Sequence, residues 1–88
     1  MSFRVYIKKN ALKTLKELPH PVVSRILSAI KLLESFPKKG NIRPLKGAKE
    51  DVWRLRVGQL RVLFYVRFDT KEIFVFRIRK RESAYRRF

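Results

Sequence analysis

Cysteine is absent from the 88 residues, which removes disulfides, thiolate metal sites and thiol nucleophiles at once. Histidine occurs once, at His20, in the predicted turn between two helices and far along the chain from the arginine-rich strands. No run approaches the ~18 apolar residues that a membrane span needs. The opening stretch MSFRVYIKKN lacks the apolar core of a signal peptide. A cytoplasmic protein without a membrane association is therefore expected. Acidic residues are also scarce, and no run of Asp and Glu has metal-ligand spacing, so two-metal nuclease chemistry has no support. Neither a metal nor another cofactor is expected.

What is abundant is positive charge. Lys and Arg number 23 against 7 acids, a formal net charge of +16. Self-repulsion of that size opposes compaction, and a polyanionic partner is its usual complement, with nucleic acid foremost. Hydrophobic content of 45% and aromatic content of 12% are those of a folded chain. The length suits one domain spanning 1–88.

Apolar periodicity predicts the elements. FRVYIK at 3–8 alternates Phe3, Val5 and Ile7 against Arg4, Tyr6 and Lys8, as in a half-buried strand. Asn10 is expected to cap a helix whose inner face carries Ala11, Leu12, Leu15 and Leu18. Leu-Pro-His-Pro at 18–21 breaks it, and Pro21 suits the first turn of a second helix. Val22, Val23, Ile26, Leu27, Ile30, Leu33 and Phe36 continue a helical stripe to Pro37. PKKGNIRPLKGAKED at 37–51 has the composition of a surface connection. Three strands then follow at about 52–57, 60–68 and 72–79, with Gly58-Gln59 as a tight turn. The expected fold is α+β: an antiparallel four-stranded sheet with an N-terminal helical hairpin packed on one face, in the order β-α-α-β-β-β.

The segment WRLRVGQLRVLFYV at 53–66 is core-grade, yet it contains Arg54, Arg56 and Arg61. Alternation puts Trp53, Leu55 and Val57 on one face and Arg54 and Arg56 on the other. Leu60, Val62, Phe64 and Val66 oppose Arg61, Leu63, Tyr65 and Arg67 in the same way. On the last strand, Phe74, Phe76 and Ile78 would oppose Ile73, Val75, Arg77, Arg79 and Arg81. Stacked in a sheet, the second faces gather arginines on one surface. Either those arginines only solvate the sheet or that surface meets an anion.

Strand–helix–helix–three strands, with LKG at 45–47, VWRLRVGQLRVLFYV at 52–66 and RKRESAY at 79–85, resembles the RelE/ParE superfamily of toxin–antitoxin systems. The terminal Arg81-x-x-x-Tyr85 pattern resembles its RelE branch, whose members are ribosome-dependent endoribonucleases cutting messenger RNA in the ribosomal A site. By that resemblance the catalytic residues fall on Arg54, Arg56, Arg61, Arg81 and Tyr85. Lys46, Lys49, Arg77, Arg79 and Lys80 are expected to contact RNA or the ribosome. The resemblance implies an acidic antitoxin as partner, in a hetero-oligomer, and like-charge repulsion at +16 favours a monomer for the free chain. Where the best-known pattern has lysines, Arg54 and Arg56 stand, and arginine cannot serve as a base at working pH. The alternatives are a ParE-like inhibitor of DNA gyrase and a non-catalytic RNA- or ribosome-binding protein. Trp53 reads as core, and His20 as a turn or capping residue.

Overall fold

The structure, a computed structural model, describes residues 2–36, 42–45 and 52–80. A first strand β1 (Arg4–Ile7) leads into helices α1 (Lys9–Lys16) and α2 (His20–Lys31), the latter prolonged by a 3-10 turn over Leu32–Ser35. Strands β2 (Ile42–Pro44), β3 (Val52–Val57), β4 (Leu60–Arg67) and β5 (Glu72–Lys80) complete the fold. The α+β class stands as expected. The sheet, however, has five strands in the order β1-β5-β4-β3-β2 and is mixed, because β1 runs parallel to β5. Among the described residues no helix is long and apolar enough to cross a membrane.

The extra strand lies within the segment read as a connection. It is three residues long and ends in a proline, which a ladder tolerates on an edge. Ile42, Arg43 and Pro44 pair with Leu55, Arg54 and Trp53. The N-terminal cap also differs from expectation: Lys8 occupies it, with no side-chain cap, and Asn10 lies inside α1. Pro19 caps α2, with Pro21 in its first turn, where a missing N–H costs nothing.

Both helices cover one face of the sheet. Ala11 and Leu15 of α1 and Ile26 and Ile30 of α2 are buried against Leu55, Val62, Phe64, Val66, Ile73, Val75 and Ile78. Leu12 and Leu27 remain 43% and 44% exposed, at the margins of their helices. Phe36 anchors the end of the helical layer, edge-on to Trp53 at 5.0 Å, Phe3 at 5.6 Å and Phe64 at 5.9 Å. Trp53 is thus a half-buried packing residue, as its strand parity implied.

The turn between β3 and β4 sets their register. Gly58 has φ +57, while Gln59 stays outside the positive region; positive φ at the first central position alone is the sign pattern of a type II′ turn. That turn aligns Arg56 with Arg61 and Arg54 with Leu63. A bulge in β5 then matters more than any turn. Leu63 pairs with Arg77 and the adjacent Phe64 with Val75, so Phe76 is the extra residue. Its effect is to place Ile73, Val75 and Ile78 together in the core, although strict alternation would set Ile78 against the other two. The expected division of β5, with Phe74, Phe76 and Ile78 on one face, is corrected accordingly. Phe74, Arg77 and Arg79 lie on the face away from the helices.

Candidate functional site: a guanidinium-lined sheet face

The outer face of the sheet is built in rows that run across the strands. One row aligns Arg56, Arg61 and Arg79 on β3, β4 and β5. The next aligns Arg43, Arg54, Leu63 and Arg77 on β2 through β5. Neighbouring strands are about 4.8 Å apart and residues on one face recur about every 6.6 Å along a strand, so both rows fit within a patch of roughly 15 Å. Leu63 is buried in its midst, beside Leu45, Arg54, Arg61, Arg79 and Lys80, which line a concavity of about 190 Å³. The arginine stems supply apolar cover for Leu63 while their heads stay at the surface.

Among the described residues no acid stands in either row, so like charge meets like charge. Arg54, half-buried, has a pKa held below its ordinary value, first by burial and then by the charges of Arg61, Arg43 and Arg56. Its Nε is buried with no hydrogen-bond partner among the described residues. Like charges directly opposite one another on a sheet are destabilising. A buried donor left unpaired costs a further ~1–3 kcal/mol. Glu72, in register with Arg67 at the far end of the same face, pairs instead with Arg4 at 3.6 Å. An anion with several acceptor oxygens would satisfy the unpaired Nε and screen the row, and a phosphodiester matches the guanidinium fork.

Five of the residues singled out from sequence therefore share one surface: Arg54, Arg56, Arg61, Arg77 and Arg79. Lys80 borders the concavity at the end of β5. Lys46, Lys49, Arg81 and Tyr85 lie outside the described residues. His20 opens α2 on the helical side, beside the apolar cleft between the two helices, and is remote from the arginine face. Sequence reasoning missed Arg43, because its strand is short and sits in a loop-like composition. The alternation Ile42-Arg43-Pro44, with Ile42 packed on the core, was the available signal.

Comparison with known proteins adds the following. Residues 5–85 match the family model described as the ParE toxin of type II toxin–antitoxin systems, parDE. A Methanocaldococcus jannaschii protein with the provisional name toxin RelE1 is 38% identical over 89 residues, covering 98% of each chain. The toxin chain in the crystal structure of the archaeal RelE–RelB complex from Pyrococcus horikoshii OT3 is 32% identical. It superposes with a TM-score of 0.79 over 92% of this chain and 97% of that one. The toxin–antitoxin complex RelBE2 of Mycobacterium tuberculosis shares the fold, with a TM-score of 0.80 over 92% of this chain and 100% of that one at 18% identity.

Proposed function

Because this chain belongs to the RelE/ParE superfamily of type II toxin–antitoxin toxins, on its RelE-type branch, we propose that it is a ribosome-dependent endoribonuclease that cuts messenger RNA in the ribosomal A site. The observation that carries this reading is the pair of arginine rows on a face that α1 and α2 leave open, with a guanidinium nitrogen among them that has no partner among the described residues.

RNA cleavage by internal attack has three requirements. The 2′-hydroxyl must be aligned with its phosphorus and lose a proton, the charge growing on the phosphate must be neutralised, and the 5′-oxygen must be protonated. Arg54, Arg56 and Arg61 suit the second requirement, as fixed donors at the developing charge. Loss of one such donor from a water-poor site costs about 3–4 kcal/mol, or roughly 100- to 1000-fold. No described residue on this face suits the first requirement. Arg81 and Tyr85, outside the described residues, remain the assigned C-terminal pair, Tyr85 as a proton carrier. The ribosome would supply alignment of the messenger, which removes much of the entropic barrier. The products are a 2′,3′-cyclic phosphate and a 5′-hydroxyl, formed without a metal.

The protein partner is an antitoxin of opposite charge, matched to the net +16 of this chain and bound in the cytoplasm until translation is to be arrested. The relative of known structure from Pyrococcus horikoshii is itself seen with RelB. The test is to add purified toxin to a translating system of purified ribosomes and map messenger ends. Cleavage that needs the ribosome, and that Arg61→Ala abolishes, is the expected result. Intact messenger with blocked DNA supercoiling would replace this reading with gyrase inhibition.

A further inference from the structure

The outer face carries a second feature that the arginine chemistry leaves unused. In the row beyond Arg54 and Arg77, the in-register residues are Val52, Tyr65, Phe74 and Tyr6, across β3, β4, β5 and β1. Tyr6 stacks on Phe74 with centroids 5.3 Å apart and planes 19° from parallel. Phe74 stacks on Tyr65 at 5.1 Å and 25°. Phe76 comes within 5.8 Å of Tyr65. Lys8 Nζ stands 6.0 Å from the centroids of both Tyr65 and Phe74, at the outer limit of a cation–π contact. Between this ladder and the β1–α1 junction lies an open cleft of about 460 Å³, whose walls include Lys8, Asn10, Tyr65, Phe76 and Arg77.

These rings do not belong to the helix-packed core, which lies on the opposite face of the sheet. Tyr6 is 42% exposed, and Tyr65, Phe74 and Phe76 are half-buried, with Tyr65 stacked on Phe74 and close to Phe76. The bulge is what fashions the cleft. It inserts Phe76 into β5 so that Phe76 and the next residue, Arg77, both line the same space, an aromatic ring beside a guanidinium. Bulges re-aim side chains in this way beside functional sites.

We infer that this cleft is a base-stacking pocket, which takes one unpaired nucleobase of a single-stranded RNA whose adjoining phosphates lie on the Arg54–Arg77 row. Three observations favour that occupant. A flat apolar ladder offers a base its π-face without regard to sequence, as single-strand binders do. The described charged residues on the cleft walls, Lys8, Lys9 and Arg77, are all cationic, which suits a polyanion carrying flat apolar groups. The ladder also lies two residues along the strands from the arginine row, about 6.6 Å, so one extended nucleotide can engage both. The inference rests on the RNA-directed reading above only for the identity of the polymer.

The test is binding of a uniformly 2′-O-methylated single-stranded RNA hexamer, which cannot be cleaved by internal attack, to the full chain without ribosomes. Phe76→Leu keeps an apolar side chain and removes the ring. It is expected to weaken binding about five- to a hundredfold while leaving the salt slope unchanged. Arg77→Gln should instead lower that slope by about 0.7. An abasic hexamer should bind wild type as weakly as the intact hexamer binds Phe76→Leu, and should lose little more on Phe76→Leu. In the unaltered protein, a 4-thiouridine version of the hexamer should photo-cross-link to Tyr65 or Phe76. Cross-links confined to the helical side, equal affinities of wild type and Phe76→Leu, or no binding by wild type would overturn the pocket. So would a loss in Phe76→Leu confined to antitoxin peptide, which would make the cleft a protein-docking groove. Ribosome-dependent cleavage is read separately from messenger ends, so failure of the pocket and failure of the nuclease reading give different patterns.

Discussion

Replacing Arg54 by methionine should make the protein more stable and less active. The substitution keeps an unbranched apolar stem over Leu63 and removes the charge. In the native molecule that charge is opposed by Arg61, Arg43 and Arg56, and its Nε lacks a hydrogen-bond partner among the described residues. Directly opposed like charges cost about 0.2–1 kcal/mol each on a sheet, and Arg43 is the one in direct register with Arg54. Arg61, diagonal across the hairpin, and Arg56, two residues along the same strand, add to that cost, reduced by screening from solvent and salt. With the unpaired donor of this half-buried side chain counted at the low end, ~1 kcal/mol, a gain of about 1–2 kcal/mol is expected. For a domain of this size that raises the melting temperature by about 4–16 °C. The assay is thermal unfolding in low and high chloride, followed by the same scans in phosphate at matched ionic strength. Wild type should gain more from salt than Arg54→Met, and should gain more from phosphate than from chloride. Messenger cleavage should meanwhile fall roughly 100- to 1000-fold. The depressed pKa makes stability rise with pH only in the alkaline window between the folded and unfolded values, so the difference should be flat near neutrality. A variant that melts lower than wild type, with no difference in salt response, would refute the reasoning: the charge would then be compensated in the native state.

Gly58→Ala should cost about 1–2 kcal/mol by chemical denaturation, because φ +57 is unfavourable for an L side chain. The new Cβ would also sit 3.3 Å from Arg25 Nη2, a flexible end that can move aside. Phe64→Ala removes a fully buried ring at the centre of the core and should cost about 3–5 kcal/mol by chemical denaturation, a large share of the stability of so small a domain. His20→Gln should leave both melting temperature and cleavage near wild type, since the residue is exposed on the helical side; a large loss of cleavage would bring histidine into the chemistry.

Regular elements were the legible ones. The alternation of Arg54 and Arg56 against Trp53, Leu55 and Val57 survives unchanged in β3, because nothing in that strand interrupts a period of two. The same holds for β4, whose outward Arg61 and inward Val62 and Phe64 could be assigned by counting. In β5, the reading of Phe74, Phe76 and Ile78 as one face failed at a single residue. A bulge leaves no periodic trace when its flanks, Val75 and Ile78, are apolar on either side. The strand β2 escaped notice because three residues are too few to show a period, and Pro44 is tolerated only because the strand lies at the edge.

Composition and local periodicity by themselves determined the charge, the helical pair, the class of fold and the outward turn of Arg54, Arg56 and Arg61. Each of those depends on residues near one another in the chain. Tertiary structure alone decided that β1 lies parallel against β5, that Arg43 completes the arginine row, and that Tyr6, Phe74 and Tyr65 stack beside it. Strand pairing joins segments as distant as residues 6 and 74, and its register is set by burial on the opposite face, so no local pattern can announce it.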